Sequence, residues 1–270
     1  MMKKNLLALG TALAAVAVAL PAHAAVSLTD AAAVYSQSFD SLTTAVTPVS
    51  PWTNDSTLAG WSLFNSTGAA ITTYLGGTGG SNTGSFYSFG AAANTERALG
   101  GAGSGNAYFG SPVSGAVAGW IAAAFDNNTG ATLSAATISF DGEQWRNGGN
   151  TSAQIMRMEY GFGASFGAVT WMAADAGFNW TSPVTGSTAA AVDGNSAGLV
   201  PGLGGTLATT WAPGQTLWLR WAENNDVGND HGLAIDNFSL SVTAVPEPES
   251  YALLLAGLAA LGLLARRRQA

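Results

Sequence analysis

Four acids, Glu223, Asp226, Asp230 and Asp236, fall within the stretch WAENNDVGNDHGLAID, interleaved with Asn224, Asn225 and Asn229. Hard oxygen donors on a Gly-containing loop suit a calcium ion, although the spacing is not that of an EF-hand. An Asx-rich turn whose side chains cap their own backbone would have the same composition. A second chemistry needs a carboxylate pair, one acid and one base or nucleophile, as in glycoside hydrolysis. Asp141, Glu143, Glu159 and Glu223 are the candidates, and arginine neutralisation on strands is the competing use. His23 sits in a leader, which leaves His231 as the one histidine of the body. A zinc site built from several His or Cys ligands is excluded, and no nucleophile-elbow motif supports a Ser-His-Asp triad. The chain has no cysteine, so thiol catalysis is excluded too. Nine tryptophans invite sugar stacking, with Trp145 beside Arg146, or Trp218 near Arg220, as binding platforms. Core packing is the alternative use of the same rings.

Strands must position these groups. Residues 25–244 contain no amphipathic helical period. They contain short alternating stretches such as TLWLRWA, SAQIMRMEYGF and LAIDNFSLSV, separated by Gly, Asn, Asp and Pro. That rhythm predicts an antiparallel β-sandwich in one domain. Leu217, Leu219 and Trp221 share one face, with Trp218 and Arg220 on the other. Met156, Met158, Tyr160 and Phe162 form another row, opposite Ile155, Arg157 and Glu159. Residues 189–206, rich in Gly and Ala, read as one long loop. Strict alternation puts Asp236 on the same inner side as Phe238, Leu240 and Val242. An inward carboxylate needs a cation or an arginine, and Arg220 is the arginine within reach.

Charge is scarce and unevenly placed. The body holds four arginines against fourteen acids, a balance of −10, which disfavours binding to nucleic acid. The basic residues outside it are Lys3 and Lys4 at one end and Arg266, Arg267 and Arg268 at the other. Residues 1–24 combine two lysines, an apolar run, Pro21 and Ala22-His23-Ala24. This is the plan of a signal peptide helix cleaved before Ala25. Residues 251–265 are uncharged and mostly Leu, Ala and Gly. As a helix they span about 22 Å, short for a bilayer core of about 30 Å. The arginines that follow predict a cytoplasmic end and place the body outside.

Val245-Pro246-Glu247-Pro248, an apolar run and an arginine cluster, in that order, resemble the PEP-CTERM sorting signal of exported Gram-negative bacterial proteins. The resemblance covers residues 245–270. It implies an exosortase as processing partner, a temporary membrane helix, removal of the tail, and delivery to the cell surface or exopolysaccharide matrix. The prolines keep the site extended and free of competing helix.

DHGLAIDNFSLS resembles the closing strand of MAM domains and of jelly-roll carbohydrate-binding modules. That resemblance implies a jelly-roll-like fold and a structural calcium held through Asp236; from the acidic loop itself, Asp230 or Asp226 and backbone carbonyls are expected to complete the shell. Asn237 stands where the family's second acid would be. The expectation is therefore a signal peptide (1–24), a β-sandwich domain (25–244) and a sorting tail (245–270). Its role is expected to be non-catalytic, as matrix structure or in polysaccharide binding. The alternative is a secreted hydrolase that uses a carboxylate pair.

Overall fold

Residues Thr216–Asn224 show how alternation becomes architecture. Leu217, Leu219 and Trp221 are fully buried in the main core, while Trp218 joins a separate cluster on the opposite face with Phe64, Ala122, Ala124 and Phe166. A computed structural model describes residues 25–245, 256–258 and 261. The signal-peptide stretch 1–24 lies outside the described residues, as do Pro246, Glu247, Pro248, Arg266, Arg267 and Arg268. Among the described residues no helix is long and apolar enough to cross a membrane.

The first strands are β1 (Val26–Leu28), β2 (Tyr35–Gln37), β3 (Ser50–Pro51), β4 (Trp61–Asn65), β5 (Thr73–Gly77) and β6 (Ser85–Phe89). Next come β7 (Ala98–Ala102), β8 (Val117–Asn127), β9 (Leu133–Asn147), β10 (Ile155–Phe162) and β11 (Met172–Ala173). The last are β12 (Trp180–Thr181), β13 (Ala190–Ala191), β14 (Leu199–Trp211), β15 (Thr216–Asn224) and β16 (Gly232–Ala244). One sheet runs β1-β8-β15-β10-β11, with β4 also on β8 and β12 also on β10. The other runs β13-β9-β16-β7-β6-β5-β3, with β14 also on β9 and β2 also on β16.

Both sheets are mixed rather than purely antiparallel, because β1 pairs with β8, and β5 with β6, in parallel. The two sheets share one core. Trp61 stacks on Trp221 at 5.8 Å within the first sheet, and both rings meet Phe238 of the second edge-on, at 5.2 and 5.8 Å. Phe140 of the second sheet meets Trp221 at 5.5 Å. The Trp61 indole N–H donates to the Tyr35 hydroxyl at 2.9 Å, which satisfies a buried polar group across the core.

Two further expectations change. Residues 189–206 are not one loop, since β13 and most of β14 come from this stretch and pair with β9. Gly and Ala carry little strand propensity, and pairing with a long central strand overrides it. The outer faces also carry apolar side chains, and β6 and β7 are buried along their whole length. Tyr87, Phe89, Ala98, Ala102, Trp145 and Ala234 form a second apolar cluster there.

The second change concerns Asp236. On β16, Asp236 opposes Asp141 and Ser239 opposes Ser139, so two residues, Asn237 and Phe238, face the single Phe140. This is a β-bulge, with Asn237 in the left-handed region at φ 50°. The extra residue resets the alternation. Ile235 and Phe238 both enter the shared core, while Asp236 takes the opposite face. Asp236 therefore does not lie beside Phe238 and Leu240. Nor does Arg220 pair with it: Arg220 bonds Glu159 through Nε and Nη2, both at 2.6 Å.

Candidate functional site

Asp236 meets two other acids on the outer face of the second sheet. Ligand oxygens of Glu96, Glu143 and Asp236 all lie within 4.8 Å of one another. Pairing produces this meeting: β16 lies between β9, which carries Glu143, and β7, which begins just after Glu96. Glu143 and Asp236 are 0% and 2% exposed, and Glu96 is half-buried.

One oxygen of each glutamate is held. The Trp145 indole N–H donates to Glu143 Oε2 at 2.8 Å, and the Asn195 amide donates to Glu96 Oε2 at 2.6 Å. The others, Glu96 Oε1 and Glu143 Oε1, are buried without a hydrogen-bond partner among the described residues, as is Asp236 Oδ1. Burial pushes the Glu143 carboxyl up to about 7 against the opposing Trp145 bond, and neighbouring acids add to the rise. Burial likewise pushes Asp236 up to about 9, with the Asn237 backbone N–H opposing, and the Glu143 and Glu96 charges and a side-chain hydrogen bond with Glu96 adding.

Residues 192–198 lie against this cluster, through Asn195 on Glu96 and Gly194 beside Trp145. Asp193 shapes the turn by accepting from the Asn195 backbone N–H and the Ser196 hydroxyl. Gly194 is required there, because a Cβ would lie 2.3 Å from the Trp145 indole. Among the described residues no arginine hydrogen-bonds to the cluster, and Arg97 acts on Glu96 through its charge. Arg97 spends its guanidinium on Gly77 and Ser88, and Arg146 on the Gly79 and Gly80 carbonyls. Arg220 serves Glu159, while exposed Arg157 acts on Asp226.

Asp226 and Asp230 belong to a different group. The Asp226 backbone N–H donates to Asp230 Oδ1 at 2.6 Å, and the charges of both act on Glu223. Glu223 accepts from the Gly103 N–H through Oε1, while its Oε2 is buried without a hydrogen-bond partner among the described residues. His231 is fully buried, with Nδ1 accepting from the Gly148 N–H at 3.0 Å. Beside this group lies a cleft of about 270 Å³, lined by Asn82, Ser104, Arg146, Asn229 and Asp230 among others. Sequence spacing grouped Asp236 with Asp226 and Asp230, whereas the fold separates them and brings Glu96 to Asp236. Nothing in the sequence pointed to Glu96, an acid in an Ala-rich turn far from its partners along the chain.

This end of the fold titrates in a definite direction. Burial raises the Asp230 carboxyl to about 7, and it raises Asp226 and Glu223 as well. Raised carboxyls stabilise the folded state at low pH. For Asp230 that contribution is lost as pH rises from the unfolded value, about 3.9, through about 7. His231, lowered by burial, opposes this below its unfolded value of about 6.5. The expected result is that the melting temperature falls between pH 6 and pH 8, and falls less in Asp230→Asn. Equal falls in both proteins would remove Asp230 as the cause.

The proposed sugar platforms fare unevenly. Trp145 is 2% exposed and Trp218 0%, so neither indole offers a face to solvent. Trp218 donates to the Gly163 carbonyl, and Arg220 lies between the Trp120 and Trp171 rings, at 4.7 and 4.0 Å. Arg146 is the one member of either pair that lines the cleft. Of the carboxylate candidates, Glu159 is paired with Arg220, and Asp141 accepts from Gly202 N–H and the Asn237 amide.

No curated protein matches the chain. The described strands end at Ala244, and the Val245 N–H donates to the Thr132 carbonyl. From that point residues 244–269 match the PEP-CTERM protein-sorting motif, and the chain thus carries the signal of an exported protein handled by an exosortase.

Proposed function

We propose that the protein is a non-catalytic component of the cell surface or exopolysaccharide matrix that binds a neutral polysaccharide. The cleft lined by Asn82, Ser104, Arg146, Asn229 and Asp230 carries this reading. Its lining offers amide, hydroxyl, guanidinium and carboxyl groups from separate segments, which suits a ligand rich in hydroxyls. The acidic body favours a neutral polymer over an anionic one. The sorting motif supports an address where such polymers are found. A jelly-roll-like sandwich belongs to the same proposal: two sheets facing across one core support it, and the two parallel pairings depart from it.

The hydrolase reading draws on the closeness of Glu143 and Asp236, but their burial leaves no path for a polymer to reach them. A glycan array probed with the purified protein tests the proposal. Binding to neutral glycans should fall about tenfold, or about 1.4 kcal/mol, in Arg146→Ala, and fall measurably in the milder Asn82→Ala. An array without binding removes the polysaccharide reading. Release of reducing ends from any bound polymer removes the non-catalytic one.

A further inference from the structure

We infer that Glu96, Glu143 and Asp236 hold one calcium ion beside the 192–198 turn. Two ligand atoms on a common ion cannot be further apart than twice the bond length. At about 2.3–2.6 Å per Ca–O bond, that limit is about 4.6–5.2 Å. The three carboxylates meet it, since their ligand oxygens lie within 4.8 Å of one another.

The second observation is independent of that clustering. Each carboxylate presents a buried oxygen with no hydrogen-bond partner among the described residues. Two of the three residues are almost fully removed from solvent. A buried, unpaired carboxylate is costly, and no arginine hydrogen-bonds to the three unpartnered oxygens among the described residues: Arg97 acts on half-buried Glu96 through charge, while no arginine acts on Glu143 or Asp236. A cation at the point of convergence would satisfy all three oxygens.

The surroundings resemble an outer shell. Trp145 holds Glu143, and Asn195 holds Glu96, each by the oxygen that is not left unpartnered. Such bonds orient ligating carboxylates. The donor set chooses the metal. It has oxygen alone, without His or Cys, which selects a hard cation and disfavours zinc or copper. Calcium accepts an irregular oxygen shell, whereas magnesium demands near-octahedral geometry and gives up water reluctantly. This site is distinct from the Asp226–Asp230–Glu223 group, and it does not depend on the polysaccharide reading.

The test uses the full chain in detergent, stripped with EDTA and exchanged into chelator-free buffer at pH 7.5. Calcium chloride should bind at one ion per chain by calorimetry and raise the melting temperature. Magnesium chloride should act at least tenfold more weakly. Glu143→Gln and Asp236→Asn should lose the response. Glu96 is half-buried, so Glu96→Gln keeps the fold and should weaken calcium binding tenfold or more. Asn195→Ala should weaken it about tenfold through the outer shell. Asp226→Asn should keep the full response. The inference is overturned if the wild type shows neither heat nor a melting shift with calcium. It is also overturned if Glu96→Gln and Asp236→Asn respond like the wild type, or if Asp226→Asn alone abolishes the response.

Discussion

Trp221→Ala should lower the melting temperature by roughly 6–20 °C. The estimate begins with the contacts. Trp221 is fully buried and touches Trp61, Phe140 and Phe238, so it joins both sheets at the centre of the shared core. Removing a buried aromatic costs about 3–5 kcal/mol, because the lost transfer free energy is compounded by a cavity that rigid neighbours cannot fill. A domain of this size loses about 2–4 °C per kcal/mol. Total stability is typically about 5–15 kcal/mol, so the variant could be largely unfolded at growth temperature. Trp221→Phe is the control. The indole N–H has no hydrogen-bond partner among the described residues, so phenylalanine forfeits volume but no hydrogen bond. It should cost less than half as much as alanine. A fall below about 2 °C for Trp221→Ala, measured by differential scanning calorimetry, would mean that the two sheets do not depend on this contact.

Deleting residues 251–268 should change where the protein ends up almost completely. The deletion removes the apolar run and Arg266–Arg268 while leaving the body and Val245-Pro246-Glu247-Pro248 intact. The sorting motif spans residues 244–269, so its membrane-retaining part is lost. Without an apolar segment there is no membrane-held intermediate for an exosortase to process. Cell fractionation with detection of the body should find the truncated chain in the periplasm or medium, with none of the processed, surface-associated form. All strands among the described residues lie before residue 246, and the melting temperature of the body is expected to stay the same. Mature surface protein that still carries Arg266–Arg268 would overturn the sorting mechanism.

Some of this molecule is local information. The alternation in TLWLRWA specified which side chains of β15 enter the core, because in a strand successive residues take opposite faces whatever lies around them. The row of Met156, Met158, Tyr160 and Phe162 was legible for the same reason, and all four reach the shared core. The sorting tail is also local, since its three parts are contiguous and are recognised in order.

The candidate site depends on what lies far apart in sequence. The bulge at Asn237 turned Asp236 to the face opposite the one that strict alternation assigns, and one extra residue in a ladder has no composition signal. The turn at Gly194 converted Trp145 from a candidate sugar platform into a buried hydrogen-bond donor to Glu143. Pairing with β9 drew the Gly- and Ala-rich segment into strands β13 and β14. The sequence by itself determined the strand rhythm, the acidic balance and the export signal, each carried by neighbours along the chain. Only the tertiary structure decided that Glu96, Glu143 and Asp236 share one point. Their meeting depends on the pairing order β9-β16-β7, in which contacts across more than forty residues of intervening chain choose the partners.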